Sequence, residues 1–131
     1  MHDIYIQNYP VHCFSVSNSA GLDIYHITLN NSAGYAPNNR SNGLPASHNS
    51  DGFDLASTND TKVRDSVVIN QDDCVAITSG NNIVVNNMYC NGSHGLSIGS
   101  VGGKSNNNVT NMVFSNSVVL NAENGASGSQ A

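Results

Sequence analysis

Two adjacent carboxylates, Asp72 and Asp73, sit in the stretch Asn70-Gln71-Asp72-Asp73-Cys74, in a chain of 131 residues of which only 10% are charged. Asp51 precedes Asp72 by 21 residues, and His94 follows Asp73 by 21. If that interval is a structural period, three carboxylates and an imidazole converge on one patch. Clustered carboxylates repel one another, so at least one is expected to hold a proton near neutrality. An acid beside an ionised base is what cleavage of a glycosidic bond requires. Taken singly, each residue has a plainer reading. Asp51 suits a turn, Asp72-Asp73 a solvated turn or a calcium site, and His94 a loop. The two matching intervals carry the case for a site, and carboxylate stacks without further oxygen-rich spacing make a poor calcium loop.

The elements that must position these residues are short strands. Val11–Val16 and Leu22–Leu29 are rich in β-branched and aromatic residues and are followed by Asn and small turn residues. Residues 31–48 are polar, carry Pro37, Pro45, Gly34 and Gly43, and show no periodicity, which predicts an excursion over one face. From residue 61 the chain repeats. Val63, Val67, Ile69 and Asn70 match Val84, Met88, Cys90 and Asn91, then Val109, Val113, Ser115 and Asn116, at intervals of 21 and 25. Strands at that period, separated by Asn, Gly and Ser, predict a solenoid, and a right-handed parallel β-helix fits better than leucine-rich repeats, whose leucine pattern is missing. Residues one period apart would lie about 4.8 Å from each other. Because Asp72 and Asp73 are consecutive, both reach one cleft only if the backbone bends there. Asn side chains are expected to bond from coil to coil, as in other in-register arrays.

Composition excludes several classes. A net charge of −5 offers no basic surface for nucleic acid. No apolar run approaches the roughly 18 residues needed to cross a membrane. The start, Met1-His2-Asp3-Ile4, shows no signal-peptide pattern. Three cysteines, Cys13, Cys74 and Cys90, allow one bridge or three buried thiols. His2, His12, His26 and His48 share no register with the aspartates, and no metal or cofactor is expected.

The motifs Asn49-Ser50-Asp51-Gly52-Phe53-Asp54, Gln71-Asp72-Asp73-Cys74-Val75-Ala76-Ile77 and Ser93-His94-Gly95-Leu96-Ser97-Ile98-Gly99-Ser100 occur in this order. They resemble three signature motifs of the polygalacturonases, a family of pectin-hydrolysing glycosidases. Pro10-Val11-His12-Cys13-Phe14 is similar to a segment of the fungal endo-acting members. The resemblance runs from about residue 4 to 125. It implies a right-handed parallel β-helix, hydrolysis of α-1,4-linked polygalacturonan with inversion, secretion, and a monomeric complete enzyme. By the same resemblance, Asp72 is the general acid, Asp51 and Asp73 activate water, and His94 holds the acid in the correct protonation state. Asn49, Gln71 and Lys104 are the expected substrate contacts, and Cys74 and Cys90 the expected disulfide. The stacking distance points the other way on stereochemistry, because it lies nearer the about 5–5.5 Å of retaining enzymes than the 6.5–9.5 Å of inverting ones.

The family's Arg-Ile-Lys motif should follow Asn124-Gly125, where this chain reads Ala126-Ser127-Gly128-Ser129-Gln130-Ala131. The expectation is therefore a partial β-helix over residues 1–125, lacking coils at both ends, with a non-homologous tail at 126–131 and weak or no activity. Arg40, Lys62, Arg64 and Lys104 read as solvated charges, with Lys104 the best placed to touch substrate. The rival reading is a non-catalytic β-solenoid that binds acidic polysaccharide or a protein partner. A related enzyme acting on rhamnogalacturonan or xylogalacturonan is a further alternative.

Overall fold

The computed structural model describes residues 1–103 and 105–122. Their strands are β1 (His2–Gln7), β2 (Phe14–Ala20), β3 (Asp23–Asn30), β4 (Phe53–Ile69), β5 (Asp73–Ile77), β6 (Gly80–Asn91), β7 (Gly95–Ile98), β8 (Val109–Ser115) and β9 (Val118–Leu120). Every pairing among them is parallel. The chain is a parallel β-helix, each coil lying on the one before.

Register follows from the apolar pattern, because inward residues must stack on inward residues. Ile24, Val63, Val85 and Phe114 form one column, and Leu29, Val68, Cys90 and Val119 another. On the face that carries the site, Phe14, Phe53, Val75 and Leu96 stand in line, as do Val16, Leu55, Ile77 and Ile98. The Phe14 and Phe53 rings stack at 5.3 Å, and Phe53 is fully buried. Burying a side chain of this size contributes roughly 1.5–3 kcal/mol.

The interval between paired residues in β4 and β6 is 22, as in Val63 with Val85 and Ile69 with Asn91. Between β6 and β8 it is 29, as in Val84 with Val113. These values correct the sequence intervals of 21 and 25. Matching Asn70 to Asn91 slips the true register by one residue, which would turn every side chain to the other face. Polar side chains at the turns also bond from coil to coil, at the backbone interval of 22 between β4 and β6 and one residue beyond it, at 30, between β6 and β8. Asp60 accepts from Asn82 at 2.8 Å, Asp65 from Asn87 at 2.8 Å, Asn81 from Asn111 at 2.7 Å and Asn86 from Asn116 at 3.1 Å. Asp60, Asp65, Asn82, Asn87, Asn111 and Asn116 all have left-handed backbones, which Asn and Asp tolerate.

The 31–48 segment is the expected excursion. It lengthens its coil so that residues of β3 and β4 pair at an interval of 39. It begins with a 3-10 turn, Ser32–Tyr35. The Tyr35 hydroxyl bonds the carbonyls of Asn70 and Asn91 at 2.6 and 2.9 Å, tying the loop to two coils. This contact demands glycine at position 92, where a Cβ would collide with the Tyr35 oxygen. Cys74 and Cys90 form a disulfide, both fully buried, with Cα atoms 5.9 Å apart. Cys13 is free.

Candidate active site

The start of β4, the start of β5 and the turn before β7 bring the acidic residues to one face. The backbone bends at Gln71 and Asp72, and the pairing of β5 with β7 shifts register between Asp73 and Val75. This is the irregularity that consecutive aspartates need in order to share a cleft. Gly52 permits the close approach of the layer below: its amide donates to the Asp73 carbonyl at 2.9 Å, and a Cβ there would meet the Cys74 carbonyl oxygen at 2.6 Å. The backbone bond sets Asp51 level with Asp73, not with Asp72. The stacking argument for an Asp51–Asp72 separation near 4.8 Å therefore loses its premise, and with it the hint of retention.

Asp72 is held by its neighbours. Its Oδ1 accepts from the Asp73 amide at 2.8 Å and lies 3.2 Å from His94 Nδ1, while Oδ2 accepts from the Asn49 amide at 3.2 Å. The His94 amide in turn donates to the Asp72 carbonyl at 2.7 Å. Asp73 Oδ1 accepts a 2.6 Å bond from the buried Ser97 hydroxyl. Burial pushes the Asp73 carboxyl above its ordinary range; the Ser97 bond opposes this and the charge of Asp72 adds to it.

Asp51 is 8% exposed, and its Oδ1 is buried without a hydrogen-bond partner. Burial, then the negative charge of Asp54 and Asp72, push its carboxyl up to about 8. The neighbouring Asp54 and Asp73 carboxyls act in the same direction, so Asp51 is the aspartate of this face that holds its proton most tightly. His12 bridges Asp51 and Asp54, with Nδ1 2.9 Å from Asp54 Oδ2 and Nε2 3.8 Å from Asp51 Oδ1. The donor atoms form two trios, His12 with Asp51 and Asp54, and Asp72 with Asp73 and His94, each spanning at most 4.8 Å. Either trio offers three ligands to a metal ion, fewer than the six to eight oxygens calcium takes.

The four residues expected to carry chemistry thus lie on one face, in two linked clusters. Asn49 reaches Asp72 through its backbone, in a left-handed conformation with φ 50°. The Gln71 amide is engaged inward: its oxygen accepts from Asn31 and Ser50, and its nitrogen donates to the Asn31 carbonyl. Gln71 is therefore a buried tie between the coil and the 31–48 loop, and it also lines the cavity beside Asp72. Lys104 and residues 123–131, including the expected tail, lie outside the described residues.

Three residues escaped the sequence reading. Asp54 is signalled by its place in the motif, where buried Phe53 and Leu55 flank it and turn it outward. His12 does have a register with Asp51, at the lengthened interval of 39 that also pairs Phe14 with Phe53. Arg40, which the sequence places among solvated charges, lines a cavity of about 710 Å³ beside the site, whose wall includes Tyr35, Leu44, His48, Asp72 and His94.

Residues 1–127 match the family described as Glycosyl hydrolases family 28. The chain belongs to that family. It is 63% identical over 120 residues to the probable endopolygalacturonase D of Emericella nidulans, covering 92% of this chain and 23% of that protein. It is 57% identical over 120 residues to a polygalacturonase of Fusarium fujikuroi, covering 92% of this chain and 32% of that one. The chain thus spans about a quarter to a third of the length of these relatives.

Proposed function

We propose that this family 28 chain carries the catalytic centre of a secreted endo-acting polygalacturonase, which hydrolyses α-1,4 bonds of polygalacturonan with inversion. The observation that carries the reading is the convergence of Asp51, Asp72 and Asp73 on one face, where burial and like charge raise the Asp51 carboxyl beside its neighbours. Asp72 protonates the leaving glycosidic oxygen. It is the one aspartate among the described residues that lines the cavity, so substrate can reach it. His94, 3.2 Å away, steadies it and sets its protonation. Asp51 and Asp73 take the proton of the attacking water. Ser97 holds Asp73 ready as an acceptor, and Asp54 with His12 receives the proton that Asp51 must give up before it acts as a base. The buried Cys74–Cys90 bridge supports secretion, because such bonds persist in oxidising compartments.

The test is release of reducing ends from polygalacturonate. Replacing Asp72 by Asn should lower the rate about 100-fold or more, the usual worth of a positioned acid. Undiminished hydrolysis by that variant would remove Asp72 from its role. The anomer first formed, read by proton NMR, decides between inversion and retention.

A further inference from the structure

An acidic site that works on an acidic polymer has an electrostatic problem. Asp51, Asp54, Asp72 and Asp73 crowd one face, and the chain as a whole carries a net charge of −5. A polyanion must approach that face, so fixed positive charge is needed beside it. Among the described residues, Arg40 is the one arginine or lysine in the cavity that holds Asp72 and His94. The other described cations are committed or lie elsewhere. Arg64 bonds Asp23 at 2.9 Å and Asp65 at 2.6 Å and lies over the Tyr25 ring, while Lys62 sits on β4 outside the cavity wall. No carboxylate among the described residues pairs with the Arg40 guanidinium.

The loop that carries Arg40 is built. The Arg40 amide donates to Asn38 Oδ1 at 2.8 Å, the Asn38 amide to Ser41 Oγ at 2.9 Å, and the Leu44 amide to the Ser41 carbonyl at 2.9 Å. Asn31 bonds Ser47 and Gln71 across the base of the loop, and Tyr35 fixes its first turn to Asn70 and Asn91. Tyr35 and Leu44 give the same wall apolar surface against which a sugar ring can lie.

We propose that Arg40 is a specificity-determining residue whose guanidinium binds the carboxylate of a uronic acid unit next to the cleaved bond. The loop of residues 31–48 then forms a subsite that distinguishes an ionised uronate from its methyl ester. This rests on the polygalacturonase reading above for the identity of the sugar. A guanidinium meets a carboxylate with two parallel bonds, and esterification removes both the charge and one acceptor.

Binding of tetragalacturonate and of its methyl ester by titration calorimetry, alongside hydrolysis of polygalacturonate, tests this on the protein, Arg40→Ala, Arg40→Lys and the control Lys62→Ala. Arg40→Ala should weaken binding of the acid about tenfold, a loss of 1.4 kcal/mol. Binding of the ester should change less than twofold. Arg40→Lys should fall between, and Lys62→Ala should match the parent. Equal losses for acid and ester, or none, overturn the proposal. Hydrolysis with no Arg40 effect leaves the enzyme reading standing and removes Arg40. Arg40-dependent binding without hydrolysis does the reverse. No binding of tetragalacturonate by the parent overturns the proposal as well.

Discussion

The aspartates of this β-helix meet two opposite fates. On the face that carries the site, buried Asp51 and half-buried Asp73 lie beside other carboxylates, and their protons are held more tightly than in water. On the face formed by β3 and the middle of β4, Asp23 and Asp65 lie at the surface. Hydrogen bonds from Arg64 to Asp23, and from Asn87 and then Arg64 to Asp65, keep these carboxyls below the usual range. The same residue type is satisfied in one place and frustrated in the other. A solenoid could stack Asn or Arg beside each aspartate, as it does around Asp65, so leaving Asp51 Oδ1 buried without a hydrogen-bond partner, with only the His12 ring 3.8 Å away, marks a position kept for chemistry.

The largest test of that contrast is Asp51→Asn. A carboxyl whose folded pKa is raised contributes stability below its unfolded value and loses it as pH climbs through the folded one. For Asp51 the window runs from about 4, the unfolded value, to about 8. The Asn variant is spared that loss. Its melting temperature should therefore exceed the parent's by a margin that grows from pH 4 to pH 8 and then levels. The gain at pH 8 should be on the order of a few kcal/mol. Hydrolysis should fall about 100-fold or more in the same variant. A variant less stable than the parent at pH 8 would show that Asp51 is paired in solution, and the contrast would collapse.

Much of this layout was legible in the sequence because solenoids turn spacing into geometry. The strands, the excursion at 31–48, the bend at Asp72 and the gathering of Asp51, Asp72, Asp73 and His94 all follow from apolar columns and turn residues. The exact register did not follow, because Val84 and Val85 are adjacent and chemically equal, and only the column through Ile24, Val63 and Phe114 selects Val85. His12 was hidden for a related reason: the excursion stretches its coil, so no constant period reaches Asp51. Arg40 was hidden because a loop without periodicity gives no hint of where it folds back. Its position depends on Tyr35 finding two carbonyls on distant coils.

A smaller effect should come from Ser97→Ala. The Ser97 hydroxyl is buried and spends its proton on Asp73. Its removal leaves the carboxyl to burial and like charge alone, so the Asp73 pKa should rise further. The acidic limb of the kcat profile should move to higher pH, and stability at pH 7 should drop by about 1.5–3 kcal/mol, the worth of a bond to a charged group. An unmoved acidic limb would mean that Asp73 is not the base that limits turnover.

The smallest effect should come from Asp65→Asn, which probes the other face. Asn keeps the left-handed backbone at φ 49° and can still accept from Asn87, so the change removes little besides the charge toward Arg64. The carboxyl of Asp65 is held below its ordinary value, so its contribution is present above an unfolded value of about 4 and is lost as pH falls through the folded one. The parent should therefore be slightly the more stable at pH 7, and the difference should vanish on acidification and shrink with added salt. Thermal melts of both variants across pH 3–9 would give slopes of opposite sign, the Asp51 difference opening as pH rises and the Asp65 difference closing as pH falls. Two differences of the same sign would show that one electrostatic environment surrounds the whole coil. Opposite signs with full hydrolysis in Asp65→Asn would assign the frustration to the site face alone.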